Sequence, residues 1–253
     1  MLLIDGDILA YKVSAVCEGA VDWGDDLWTL HADAREGRAQ VDTWLDQIQD
    51  DLGILTGIRV FLTGSFNFRT DLFPEYKANR RETRKPMILG EMKRHLETAW
   101  GGESEKGLEA DDLIGMAASS AVSSELSPII VSIDKDFKTV PCRLYNPDKP
   151  ELGVIEITSE QADYWFMYQT LTGDSADNYK GCPGVGPKKA EKLLEDKTTL
   201  YDMWQVVLKA YDSSGLSSRH ALTQARVARI LRYGEYNFGM GKVKLWHPPK
   251  EPK

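Results

Sequence analysis

Cysteine is scarce: Cys17, Cys142 and Cys182 are the whole complement of a 253-residue chain. Their odd number and wide spacing exclude a disulfide framework and a clustered zinc site, and fit a reducing compartment. Long apolar runs are missing too. None approaches the roughly 20 residues that span a bilayer. Asp5 and Asp7 break the apolar start, which has neither a basic lead nor a small-residue cleavage site, so no signal peptide and no membrane partner are expected. Positive charge is in deficit, with a formal net charge of −8. That balance would argue against a polyanionic partner only if charge were evenly spread. It is not. From residue 69 to 94, eight cations (Arg69, Lys77, Arg80, Arg81, Arg84, Lys85, Lys93, Arg94) face four acids (Asp71, Glu75, Glu82, Glu91).

With 42% hydrophobic and 28% charged residues, the chain has enough apolar material for one large domain, or a domain with an appendage. It has no internal repeat. Leu2–Ile4 reads as a buried strand ending in Asp5-Gly6-Asp7, followed by a helix over 8–18. The acidic stretch Val21–Trp28 reads as a loop. Val41–Ile54 is helical by its apolar spacing, which extends to Leu55, and Ile58–Thr63 is a second strand. Gly64 to Arg81 is basic and aromatic without clean periodicity. It is either a solvated loop or a mobile element gripping a nucleic-acid backbone, with Tyr76 or Phe68 stacking on a base. Pro86–Trp100 and 110–122 read as helices, and Ser127-Pro128 as a turn. Ile129–Ile133 reads as a buried parallel strand, 143–157 as a strand pair and Ser159–Thr172 as a helix. Residues 198–232 read as helical, with Arg226, Arg229 and Arg232 forming either a basic face or a wet side. Gly239–Lys253 reads as a frayed tail. Alternating strands and helices predict an α/β fold with a mostly parallel central sheet flanked by helices, and a site beyond the carboxyl ends of its strands.

Carboxylates crowd that rim. Asp5, Asp134 and Asp136 follow strands. Glu109, Asp111 and Asp112 open a helix, with Glu109 and Asp112 on one face. First-turn acids alone would merely complement a helix dipole, at a few tenths of a kcal/mol. Gathering so many without a cation costs about several kcal/mol of repulsion and desolvation. Oxygen-only ligands select Mg2+ or Mn2+ over zinc. Asp174 and Asp177 add two more acids. Gly184-Val185-Gly186 then leads into a helix with Lys188 and Lys189 in its first turn. Glycines admit a phosphate to the backbone, and lysines there suit an anionic partner better than they suit the dipole. The plainer alternative is a glycine turn with a solvated lysine pair.

Five blocks stand in one order: Ile4-Asp5-Gly6; Phe68-Arg69 with Pro74-Glu75-Tyr76-Lys77-Ala78-Asn79-Arg80; Glu109-Ala110-Asp111-Asp112; Asp134-Lys135-Asp136-Phe137; and Gly173-Asp174 through Ala190. Together they resemble the structure-specific 5′-nuclease family of phage 5′-to-3′ exonucleases, flap endonucleases and the 5′-nuclease domain of bacterial DNA polymerase I. Ala228–Arg232 and Glu235–Phe238 bring the phage exonuclease branch closest. The resemblance implies a PIN-like, resolvase-like core over 1–172, with a helical arch at about 66–100. A helix-three-turn-helix and helical DNA-binding region would follow over 173–253. It implies a two-metal phosphodiesterase using Mg2+, with Mn2+ as substitute. One ion would lie among Asp5, Glu109, Asp111, Asp112 and Asp134, the other among Asp134, Asp136, Asp174 and Asp177. Lys77 and Arg80 would approach the scissile phosphate, and Tyr76 would stack on a nucleobase. Arg69 and Arg81 would join the DNA surface. Cys182, Gly184, Val185, Gly186, Lys188 and Lys189 would hold the duplex backbone, in relatives with a K+ ion bound by carbonyls. The implied partner is DNA with 5′ ends, flaps or nicks, with RNA–DNA hybrids as a further substrate. A monomer is expected, in the cytoplasm, which is the host's if a phage encodes it. The implied roles are replication, primer removal or recombination.

One feature departs from the family. An aspartate is expected after the second strand, and Gly64 stands there. Asp7 is the candidate to compensate. The gap supports an alternative, a branched-DNA-binding protein with weak or lost catalysis. An unrelated α/β ribonuclease is a third reading, disfavoured by the helix-three-turn-helix.

Overall fold

The structure, a computed structural model, describes residues 1–54, 57–120 and 128–251. Leu55, positions 121–122, Ser127 and the last two residues of the tail lie outside the described residues.

The chain opens with β1 (Leu2–Asp5), whose four residues are all buried, and turns directly into α1 (Gly6–Val16). A hairpin of β2 (Gly19–Asp22) and β3 (Trp28–His31) follows, then α2 (Ala34–Leu52) and β4 (Ile58–Phe61). The arch region holds a short α3 (Arg69–Leu72), a 3-10 turn at Ala78–Arg80 and α4 (Leu89–Ala99). Next come α5 (Ala110–Ser119), β5 (Ile129–Val131), β6 (Cys142–Tyr145) and β7 (Val154–Ile157). The rest is helical: α6 (Ser159–Thr172), α7 (Pro187–Leu194), α8 (Leu200–Ser213) and α9 (Ser218–Ala228). A small ladder of β8 (Tyr236–Asn237) and β9 (Lys242–Val243) ends it.

The sheet order is β4-β1-β5-β6-β7, parallel throughout except for the final β6–β7 pair. Alternation along β1 assigns its side chains to two layers. Leu2 and Ile4 pack with Leu9, Val41, Leu45, Met92 and Leu96 from α1, α2 and α4. Leu3 packs on the opposite face with Ile114 and Met116 of α5. A strand buried on both faces must read as a continuous apolar run, as it does here. A third apolar cluster joins Phe166, Met167 and Leu171 of α6 to Val207, Tyr211, Ala221 and Ala225. The boundary expected after residue 172 therefore falls at the end of a helix that packs against the helices following it.

Three readings change. The stretch 21–28 is part of a hairpin, not a loop. Its turn places Gly24, Asp25 and Asp26 at φ of 82°, 50° and 61°, and short polar side chains tolerate that region. The strands are exposed or half-buried, so no apolar alternation announced them. The basic helical face at 226–232 does not form either. α9 stops at Ala228, and Arg229 is extended, with φ −70° and ψ 112°. The three arginines turn inward: Arg226 donates to the Trp246 carbonyl (3.1 Å), Arg229 pairs with Glu235 (2.6 Å) and Arg232 with Asp163 (2.8 Å). The tail is docked rather than frayed as far as Trp246, which lies edge-on to Phe166 and Trp204 with ring centroids 5.2 Å apart in each case.

Truncating that anchor tests the docking. Trp246→Ala is expected to cost about 3 to 5 kcal/mol of stability, read as a lower midpoint in urea unfolding. A loss under about 1 kcal/mol, as for a surface site, would show the tail to be dispensable.

Candidate functional site

The carboxyl ends of β1, β4 and β5 open on a cavity of about 900 Å3. Asp5, Asp7, Thr63, Glu109, Asp111, Asp134 and Asp177 line it, together with Lys77, Arg80, Arg84, Lys85 and Lys93. Each acid is placed by local structure. Asp5 ends β1 and caps α1, accepting hydrogen bonds from the Ile8 N–H (3.1 Å) and the Ser132 hydroxyl (3.0 Å). Glu109 caps α5. Asp134 caps the 3-10 turn Lys135–Thr139 through the Asp136 N–H (2.8 Å). Asp174 accepts from the Ala176 N–H (2.7 Å) in the turn after α6. Gly173 and Gly181 make that turn possible. Both have positive φ, and a Cβ on Gly173 would lie 2.4 Å from the Gly181 nitrogen.

The acids divide by charge environment. Burial pushes Asp5 up to about 7, with the Ile8 and Ser132 hydrogen bonds opposing and Asp7 and Asp134 assisting. Asp136 also rises to about 7, through burial and then the neighbouring Asp134 and Asp174. Burial raises Asp111 and Asp134 as well, Asp111 further through Asp5 and Asp134. Glu109 goes the other way. Burial would raise it, but Arg69 and Lys77 outweigh that and hold it at about 2. Lys77 pairs with Glu109 and lies 3.6 Å from Asp177, Arg80 lies 2.5 Å from Asp177, and Lys135 lies 3.0 Å from Asp174. Lys77 reaches its place in a left-handed conformation (φ 54°), with its N–H donating to the Asp177 carbonyl at 2.9 Å. That backbone costs about 1 to 3 kcal/mol in a non-glycine residue.

Among the described residues, no three carboxylates, histidines or cysteines converge tightly enough to chelate an ion as the side chains stand. The donor set nevertheless fits a hard divalent ion. It is all oxygen, and four of its acids carry raised pKa values. Lysines and an arginine supply the countercharge to Glu109, Asp174 and Asp177.

Several expected site residues lie elsewhere. Asp112 is fully buried, and both its oxygens bind Arg69, at 2.7 Å each. It does not line the cavity and is not placed to ligate an ion there. Arg69 is 2% exposed and so is no DNA contact. Tyr76 is 5% exposed, with its hydroxyl 2.9 Å from both Glu109 and Asp177 and its one proton shared between them, so its ring is not free to stack on a base. The Cys182 and Val185 side chains belong to the helical core. Gly184 and Gly186 of that turn stand exposed with Pro183, as do Lys188 and Lys189 at the start of α7. Arg81 is exposed on the arch.

The missing aspartate is resolved differently from the sequence reading. A Cβ on Gly64 would lie 2.0 Å from the Glu105 carbonyl oxygen, so no side chain fits there on this backbone. Thr63 is the loop residue that lines the cavity. Its hydroxyl accepts from the Ala110 N–H at the start of α5 (3.1 Å), and its own N–H donates to Asp7 (3.0 Å), which pairs with Lys93. Sequence reasoning missed Thr63, Lys93, Lys135 and Ser132. Ser132 carried a usable signal, a hydroxyl two residues before Asp134 at a strand end. Lys93 stood in the sequence only as one cation of the basic stretch, and it is the placement of α4 that brings it to the cavity.

A family model of the 5′-3′ exonuclease N-terminal resolvase-like domain matches residues 1–145. The chain belongs to this family. It is 28% identical to an exodeoxyribonuclease of Enterobacteria phage T3, over 98% of this chain and 93% of that protein. It is 30% identical to the flap endonuclease Xni of Vibrio campbellii, over 72% of this chain and 75% of that protein. Among solved structures, a phage T5 protein co-crystallised with metal ions superposes with a TM-score of 0.61, at 16% identity and over 90% of this chain and 92% of that one. A complex of the phage T5 flap endonuclease with DNA and metal ions gives 0.59, also at 16% identity, over 90% and 92%. These superpositions show that the exonuclease-family chain shares their fold, including the mostly parallel resolvase-like sheet. No helix among the described residues is long and apolar enough to cross a membrane.

The raised acids set a pH dependence. Burial lifts Asp5 and Asp136 from the ordinary aspartate 3.8 to about 7 in the fold. Their contribution is therefore full below about pH 4 and is lost as pH rises through about 7. In EDTA, the melting temperature is expected to be higher at about pH 5.5 than at about pH 8. Mg2+ should raise it more at the higher pH. Equal melting temperatures in EDTA would contradict the buried, uncompensated cluster.

Proposed function

We propose that this chain is a divalent-metal-dependent 5′-to-3′ exonuclease and flap endonuclease that hydrolyses phosphodiester bonds near the 5′ ends of duplex or branched DNA, in replication, primer removal or recombination. That it is a nuclease follows from its family. The observation that carries the mechanism is one cavity in which buried acids with raised pKa values adjoin Lys77 and Arg80. Asp5, Glu109, Asp111 and Asp134 would hold one Mg2+, and Asp134, Asp136, Asp174 and Asp177 a second, with Mn2+ as substitute. When bound, such ions activate water and neutralise charge on the phosphate.

The protein's own groups do the rest. Lys77 and Arg80, now paired with Glu109 and Asp177, turn their cations to the scissile phosphate once those carboxylates are otherwise engaged. The Tyr76 hydroxyl holds Glu109 and Asp177 in mutual register. Ser132 and the Ile8 N–H keep Asp5 aimed at the rim. Gly184, Gly186, Lys188 and Lys189 hold the duplex backbone, and the carbonyls of that turn offer a K+ site. RNA–DNA hybrids are a further substrate, and the working species is a monomer. A binding-only protein is the weaker reading. It rests on the missing aspartate alone, and the loop at 63–64 accommodates that absence.

Incubation with 5′-flap and nicked duplexes is expected to release short products only when Mg2+ or Mn2+ is present. Asp134→Asn should lower kcat by about 100-fold or more while DNA affinity changes little. An equal loss of affinity would undercut the shared-ligand role. Lys188→Ala should weaken duplex binding and lower the slope of log affinity against log salt by about 1. An unchanged slope would remove Lys188 from the phosphate contacts.

A further inference from the structure

We propose that Arg69 and Asp112 are positioning residues. They form a buried clamp through which the C-terminal segment 227–231 fixes the carboxylates of α5 and the base of the arch.

The clamp joins three segments far apart in sequence. Arg69 opens α3, at the base of the arch. Its two terminal nitrogens bind the two oxygens of Asp112, on α5, at 2.7 Å each. Its Nε donates to the Val227 carbonyl at 3.0 Å, and one terminal nitrogen also donates to the Arg229 carbonyl at 2.5 Å. Asp112 in turn accepts from the Leu231 N–H (3.1 Å) and the Glu109 N–H (3.2 Å). The planar fork of arginine satisfies all four acceptors at once, which an ammonium cannot do.

Stability alone gives no reason for this arrangement. An ion pair so fully buried contributes little over apolar residues of the same volume, and its best-attested use is to fix register. Here the register is that of the site. Asp112 holds the backbone of Glu109, and Asp111 immediately precedes Asp112 in the chain, so the direction of both cavity-lining acids depends on it. Arg69 also stacks near Phe68 (4.6 Å) and Tyr76 (5.8 Å), the residue that holds Glu109 and Asp177 together. The strap is itself secured on both sides. Arg229 pairs with Glu235, and Arg232 with Asp163 of α6. The end of α9 at Ala228 has a purpose in this arrangement: only an extended chain presents the Arg229 carbonyl and the Leu231 N–H to one clamp.

This inference rests on the two-ion reading above, and its test separates the two. Mg2+ affinity of the DNA-free protein is measured by titration calorimetry for the wild type, Arg69→Met, Asp112→Asn and the double variant, with melting curves in EDTA. Each single change is expected to weaken Mg2+ binding by about tenfold, and the double change by no more than either alone. In flap cleavage, kcat should fall while KM for DNA at saturating Mg2+ stays within about twofold. Two milder variants cover the case in which these fail to fold. Arg69→Lys should show most of the loss, and Glu235→Gln, which loosens the strap, a loss of about threefold. Weakening by Asp112→Asn but not by Arg69→Met would make Asp112 a ligand and overturn the clamp. So would lowered melting temperatures with wild-type Mg2+ affinity. A wild-type protein that binds no Mg2+ would instead overturn the two-ion reading, and the clamp with it.

Discussion

Bringing acids together in a buried place is the constraint on which the rest of this molecule depends. Asp5, Asp111 and Asp134 line one cavity with Glu109 and Asp177, Asp136 and Asp174 lie beside them, and burial raises Asp5, Asp111, Asp134 and Asp136 above the usual carboxylate range. Such a cluster resists folding unless something supplies positive charge. Lys77, Arg80 and Lys135 supply part of it, from the arch and from the turn after β5. They do so for Glu109, Asp177 and Asp174. The remaining acids form an all-oxygen donor set that fits a hard divalent ion.

The fold meets the constraint by rigidity. The parallel sheet sends three strand ends to one edge, and its fully buried aliphatic residues leave those ends little freedom. Helix N-termini and tight turns then hold individual carboxylates through backbone N–H groups: Ile8 for Asp5, Asp136 for Asp134, Ala176 for Asp174. Each bond favours the ionised form, so the scaffold opposes the desolvation that it imposes.

The arch is less autonomous than a mobile loop. Tyr76 is inside, Lys77 adopts a left-handed backbone, and Arg69 is clamped beneath. The cations proposed to meet a phosphate, Lys77 and Arg80, are those that pair with Glu109 and Asp177 without one. On the proposed function, substrate binding and site assembly would draw on one set of side chains, which would tie the arch to the chemistry more closely than its basic composition suggests.

The sequence by itself determined the class of the molecule and named most of the acids that line or adjoin the cavity. The runs at 2–4, 58–63 and 129–133 read as strands, and β1, β4 and β5 form within them. The glycine–lysine turn and the spacing of Glu109, Asp111, Asp134, Asp136, Asp174 and Asp177 were legible as residue types whose company has a chemical cost. What the tertiary structure decided was direction. Asp111 and Asp112 are adjacent acids in one motif, yet one lines the cavity and the other is locked on Arg69. Tyr76 and Lys77 are neighbours, yet one is a buried spacer and the other a cavity cation. Gly64 read as a lost ligand, but Thr63 faces the cavity and the Glu105 carbonyl leaves residue 64 no room. The reason is physical. Local pattern fixes which side chains share a turn of helix or a strand face, while the partner each one meets comes from segments tens to more than a hundred residues away. Long-range packing of that kind leaves no periodic trace in the sequence.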